Sequence, residues 1–231
     1  MFRKRTSQPP TSARMRLYYL TGLHHGLSNV ALRRVKISRF SDLNDPLELL
    51  AVDLTDKQHR RSFRQWKEAV NKKHGLICLS KSWENPVLWG HYADGHTGLA
   101  LGFDVPPALV SDVIYAERPQ VIPIDPATNQ PAPNEELVNR LLRTKFHDWR
   151  YEREMRLFVK LDSKTKESGM YFYDFSDDFA LREIVLGPRC KVPIGRIRTV
   201  VKGYSPAVSV TQARIAFSSF RVVKDTTGTS H

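Results

Sequence analysis

The segment Trp149 to Val159, WRYEREMRLFV, constrains the chain more than any other, because alternation along an extended strand asks it to do two jobs at once. On one face Tyr151, Met155, Leu157 and Val159 line a core, while Glu152, Glu154 and Arg156 share the other. Two carboxylates at that spacing raise each other's proton affinity unless a cation or a ligand intervenes. Arg150 and Arg156 bracket the pair and are the candidate cations. The pattern fits a solvated strand laced with salt bridges, and it also fits a floor of carboxylates in a cleft.

A chain of 231 residues with 41% hydrophobic content can bury a core of its own. We expect one domain over residues 15–223, a basic arm over 1–14 and a short tail over 224–231. Lysine and arginine outnumber aspartate and glutamate by 36 to 24, a net charge of +12, so nucleic acid or another polyanion is the expected partner. With Cys78 and Cys190 the only cysteines, no disulfide framework or cysteine-rich metal site is expected. No apolar run approaches the roughly 20 residues of a membrane-spanning helix, and the start lacks a secretory pattern, so a cytoplasmic setting without membrane contact is expected.

Periodicity predicts strands at Arg16 to Thr21, Val35 to Arg39, Gly75 to Leu79, Gly98 to Phe103, Val113 to Tyr115, Met170 to Phe175 and Leu181 to Leu186. Two further strands, Val208 to Thr211 and Phe217 to Val223, close the chain. Helices are predicted over Leu23 to Arg34, Leu49 to Lys73, Pro86 to Ala93, Glu135 to Phe146 and Ile194 to Lys202. The helix over Leu49 to Lys73 carries the densest basic face, and the stretch Pro119 to Asn134, with five prolines, reads as an exposed excursion. Short strands mixed irregularly with helices give an α+β class.

Polar residues gather at three further places. Tyr18, Tyr19 and Thr21 precede His24, His25 and Asn29; adjacent histidines point apart, and no third metal ligand is spaced to join them. Asn44 and Asp45 before Pro46 read as a turn. Trp89, His91, Tyr92, Asp94 and His96 suit stacking on a flat heterocycle, although Trp89 also fits a core position. No phosphate loop, G-x-G-x-x-G, H-E-x-x-H or G-x-S-x-G motif is present.

The strand RLYYLT, the loop FSDLNDPLE, the strand GLICLS, the block LWGHYADGHTGLALGFD, the segment WRYEREMRLF and the strand LREIVLG follow one another from Leu17 to Gly187. In this content and order the chain resembles the bacterial domain-of-unknown-function family 2971. More distantly, its layout is similar to that of ADP-ribosyltransferases, including nucleic-acid-modifying toxins of bacterial conflict and phage-defence systems. That resemblance implies split mixed and antiparallel sheets around a cleft with flanking helices, NAD as co-substrate, and for a toxin a neutralising partner protein. It implies that Glu154 bonds the 2′-hydroxyl of the nicotinamide ribose, that Glu152 orients the acceptor, and that Tyr19 stands where many relatives have His or Arg. Thr21 would sit beside the ribose, Ser80 on the middle strand, and Trp89, His91 and Tyr92 around the nicotinamide, with Asn44 a further cofactor contact. Two other readings stay open: a non-catalytic nucleic-acid-binding module, in which the two glutamates pair with Arg150 and Arg156, and a metal-dependent nuclease using Asp45, Glu152, Glu154 and a histidine.

Overall fold

The structure is a computed structural model that describes residues 13–226 apart from positions 46, 50, 51, 53, 54, 121, 122, 126, 129, 132, 133 and 205. The expected basic arm and the end of the tail lie outside the described residues, except for positions 13, 14 and 224–226. Along the chain run β1 Met15–Thr21, α1 Leu23–Leu32, β2 Arg34–Ile37, α2 Lys57–Lys73, β3 His74–Ser80, α3 Pro86–Tyr92 and β4 Leu99–Val105. Then come β5 Ser111–Asp112, β6 Ile114–Ala116, β7 Ile124–Asp125, β8 Gln130–Pro131, α4 Glu135–Leu141, β9 Thr144–Phe146 and, after a 3₁₀ helix over His147–Glu152, β10 Glu154–Lys160. The last elements are β11 Lys166–Glu167, β12 Met170–Asp174, β13 Ala180–Leu186, α5 Ile194–Val201, β14 Ser209–Ile215 and β15 Val222–Lys224.

The expected α+β class holds. The largest sheet is mixed and eight-stranded, in the order β15-β14-β13-β4-β1-β3-β10-β5, beside a three-stranded sheet β11-β12-β2 and the two-stranded pairs β6-β9 and β7-β8. It is not uniformly zipped. β1 pairs with β4 along its whole length, Met15↔Val105 to Thr21↔Leu99, and β3 pairs with β10 from His74↔Lys160 to Ser80↔Glu154. Between β1 and β3, at the middle of the sheet, only Tyr18↔Ser80 is in register. The two halves part at that seam.

Alternation explains which face each strand buries. Leu17, Leu79, Leu101, Phe103, Leu157 and Ile184 meet Val30 of α1 and Ile197 of α5 on one side of the sheet. On the other, Trp89 of α3 packs with Ala100 and Val185. Leu76 of β3 packs there with Trp66 and Val70 of α2. α3 starts sharply because the Asn85 side chain accepts from Val87 N–H and Pro86 occupies the first turn.

Three expectations are corrected. The helix expected from Leu49 begins at Lys57, because Leu49 sits at a left-handed φ of 58° that ends any helical run there. The helix expected to reach Phe146 stops at Leu141, and Thr144–Phe146 pairs in parallel with Ile114–Ala116 instead, so a tertiary partner overrides local propensity. WRYEREMRLFV is extended only from Glu154. Its first half is the 3₁₀ helix, closed by Arg153 at φ 48°, whose N–H bonds Arg150 O. Met155 and Leu157 reach the core as expected, whereas Tyr151 does not.

Candidate active site

A cavity of about 290 Å³ opens at the seam, lined from β1 by Tyr18, Tyr19 and Leu20 and from β3 by Cys78, Leu79 and Ser80. Asp42, Asn44 and Glu48 close it from the loop after β2, Tyr92 from α3, Lys145 from β9, and Glu152 and Glu154 from the E-x-E segment. Its volume lies at the lower end of ligand sites, about 300–1,000 Å³. Six of the sequence-derived residues therefore converge: Tyr19, Asn44, Ser80, Tyr92, Glu152 and Glu154.

Three others do not line it. Thr21 is buried with its methyl against Gly26, so α1 covers it. Trp89 is fully buried and its indole N–H donates to Trp83 O at 2.6 Å, so packing claims it. His91 lies on the exposed side of α3, where Nδ1 is 2.9 Å from the Tyr151 hydroxyl. The Arg150 expected to neutralise the acids is also exposed, against His147 and Asp148.

The neutralising cation that sequence reasoning missed is Lys145. Its Nζ donates to Glu152 Oε2 at 2.5 Å and to Glu154 Oε2 at 3.2 Å, with 4% of the side chain exposed. Arg156, fully buried, donates from Nε to Glu154 Oε1 at 2.9 Å and from Nη2 to Glu48 Oε1 at 2.6 Å. Asn44 Nδ2 donates to the Tyr92 hydroxyl at 3.0 Å, and that hydroxyl donates to Glu152 Oε1. A continuous polar chain thus runs from Asn44 through Tyr92, Glu152, Lys145, Glu154 and Arg156 to Glu48. Its backbone is fixed too: the Ser80 hydroxyl lies 2.6 Å from Glu152 O, and Glu154 N–H donates to the Tyr115 hydroxyl at 2.8 Å.

Three carboxylates share two cations here, so the cluster carries one excess negative charge when all its acids are ionised. The acids do not titrate alike. Burial pushes Glu154 up, but the Arg156 guanidinium and the Lys145 ammonium outweigh it and hold Glu154 well below the ordinary range. At Glu152 burial wins over Lys145 and Tyr92, and its pKa is raised. Burial likewise raises Glu48 against Arg156 and raises the Cys78 thiol, which is kept protonated and unreactive. Tyr19 is pushed up to about 12, chiefly by burial, and its ring packs against the core while touching the cavity. Tyr18 shows its ring to the cavity but gives its hydroxyl to Glu183 Oε2 at 2.9 Å.

For the metal-dependent alternative, Lys145 and Arg156 already fill the gaps between the carboxylates, and among the described residues no group of three or more metal-ligating side chains is arranged to hold an ion. Among the described residues no helix is long and apolar enough to cross a membrane.

Fold and site together describe an α+β protein with a polar cavity at a sheet seam, floored by acids of unequal acidity. The family model described as "Protein of unknown function (DUF2971)" matches residues 88–157, which supports the family resemblance read from the WGHYADGHTG and WRYEREMR blocks. The matched span carries Tyr92, Lys145, Glu152 and Glu154 but not β1 or β3. No curated protein and no solved structure matches the chain.

Proposed function

We propose that the chain is an NAD-dependent mono-ADP-ribosyltransferase-like enzyme that seats the nicotinamide ribose in the seam cavity. The observation that carries this reading is the unequal pair: Glu154 stays an anion, while Glu152, beside it and bridged to it by Lys145, takes up a proton more readily than an ordinary carboxylate. Two neighbouring acids pushed apart in this way mark a division of labour. The surplus negative charge of the cluster suits a cationic pyridinium on a ribose, and the Tyr19 and Tyr92 rings suit its flat face.

Bound NAD supplies a glycosidic bond whose electron pair can leave with the nicotinamide nitrogen. Glu154 faces the positive charge that then grows on the sugar carbon, an interaction stronger in the transition state than in the ground state. As the acceptor's lone pair forms the new bond to that carbon, Glu152 takes the acceptor's proton, with Lys145 and Tyr92 holding the carboxylate in place. Arg156 and Lys145 keep Glu154 from rotating away, so little reorganisation is needed during the reaction.

The test is to follow nicotinamide release on incubation with NAD, with and without candidate acceptors. Wild type should release nicotinamide, and Glu154→Gln should be slower by about 100-fold or more. A wild-type protein that neither binds nor cleaves NAD overturns the reading. The second reading, a nucleic-acid-binding module without catalysis, is favoured by the exposed Arg61, Arg64, Lys72 and Lys73 of α2. Steeply salt-dependent binding, indifferent to both glutamates and accompanied by no NAD cleavage, would establish it instead.

A further inference from the structure

Beside the cavity, three rings remain outside the core. His91 at the end of α3 and Trp149 and Tyr151 of the 3₁₀ helix form a triangle with every centroid separation at 6.0 Å. His91 is exposed and the other two are half-buried, in contrast to Trp83 and Trp89, which are buried. The triangle adjoins the acids directly. Tyr92 follows His91 and bonds Glu152, Glu152 follows Tyr151, and Lys145 Nζ lies 4.8 Å from the Trp149 ring centre while bonding Glu152. Whatever stacks on these rings lies next to the carboxylate assigned above to the acceptor's proton.

We propose that this triangle is an acceptor subsite that stacks an unpaired base of a single-stranded nucleic acid. The proposal rests on the transferase reading for what happens after binding, but not for the binding itself. Three observations select the occupant. Half-exposed rings offer the stacking faces that every base accepts without regard to sequence. The Tyr151 hydroxyl and His91 Nδ1, bonded to each other at 2.9 Å, hold the two rings in place and leave the other imidazole nitrogen for a base edge. Arg150 and Arg153 project into solvent from the same turn; among the described residues the Arg153 side chain makes no hydrogen bond or ion pair, leaving its guanidinium available to a phosphate, and the chain's net charge is +12. A protein partner would be better served by the bare apolar tip at Phe217 and Phe220, 88% and 99% exposed, on the β14–β15 turn. A duplex would hide the base faces that the rings need.

The experiment uses the full chain without NAD and a fluorescently labelled single-stranded oligonucleotide of about 12 nucleotides, within the site sizes such platforms cover. Wild type should bind it with quenching of tryptophan fluorescence, and should bind the matching duplex at least about tenfold more weakly. Trp149→Ala and the double variant His91→Ala/Tyr151→Ala should each weaken binding about tenfold or more, whereas Trp149→Phe, which keeps a ring, should restore it. Arg153→Gln should weaken binding and lower the slope against salt by about one ion. Binding unchanged in the ring variants, a duplex bound as tightly as a single strand, or no oligonucleotide bound while a protein acceptor becomes labelled from NAD, would each overturn the proposal. Oligonucleotide binding in a protein inert toward NAD sinks the transferase reading and leaves the subsite standing; NAD cleavage without oligonucleotide binding does the reverse.

Discussion

Arg156 and Glu48, 108 residues apart in sequence, are joined by two hydrogen bonds of 2.6 and 3.1 Å inside the protein, and the same guanidinium holds Glu154. This pairing ties the loop after β2 to the strand that carries the proposed catalytic acid. Arg156→Met should therefore cost about 3–5 kcal/mol, because it leaves two buried carboxylates facing each other without their cation. Adding Glu48→Gln should recover part of that loss. Urea denaturation of the two single variants and the double variant measures the coupling, and purely additive effects would show that the pair does not act as a unit.

The depressed pKa of Glu154 links stability to pH with a definite sign. Its folded value, about 2, lies below the ordinary 4.5, so its contribution is fully present above pH 4.5 and is lost as the pH falls toward 2. The stability gap between wild type and Glu154→Gln should narrow over that window. Glu152 and Glu48, with raised values, act in the opposite sense: what they cost at neutral pH is regained as acid protonates them in the folded state. Denaturant midpoints of both proteins from pH 7 to 2 check the sign, and a gap that stays constant would contradict it.

Much of this was legible in the chain itself. The β-prone and apolar runs RLYYLT, GLICLS, GLALGF and LREIVL marked four central strands, Pro86 marked the start of α3, and E-x-E marked the two acids that meet in the cavity. Lys145 was hidden because residues 135–146 have helix-forming composition, and nothing local announces that Ile114–Ala116 will claim Thr144–Phe146 as a partner. Arg150 and Arg156 both flank the acids in sequence, and of the two only Arg156 reaches them. Glu48 stood inside the FSDLNDPLE block, yet its role depends on a partner 108 residues away. Trp89 and His91 show the complementary error: neighbours on one short helix point to opposite environments, one sealed in the core and the other at the surface.

Trp89 gives the next test. Trp89→Ala should destabilise the protein by about 3–5 kcal/mol through the cavity it leaves. Trp89→Phe should cost about 1–3 kcal/mol, since the Trp83 carbonyl loses its donor, without changing the KM for NAD. A changed KM in Trp89→Phe would return the residue to the ligand wall.

Two glycines of neighbouring segments should respond in opposite directions. A Cβ on Gly98 would fall 2.3 Å from Thr21 O and 3.0 Å from the Ala93 backbone, so Gly98→Ala should cost about 3 kcal/mol or more. A Cβ on Gly90, inside α3, meets nothing within 4 Å, and Gly90→Ala should gain about 0.5–1 kcal/mol from helix propensity. For a chain of this size each kcal/mol moves Tm by about 2–4 °C, so calorimetry separates the two.

Beyond the single Tyr18↔Ser80 pair β3 finds another neighbour: Leu76 exchanges both of its backbone hydrogen bonds with Ser38, just after β2. The hollow is thus framed by β1, β3 and the loop after β2, so its width follows from how far those three backbone segments diverge.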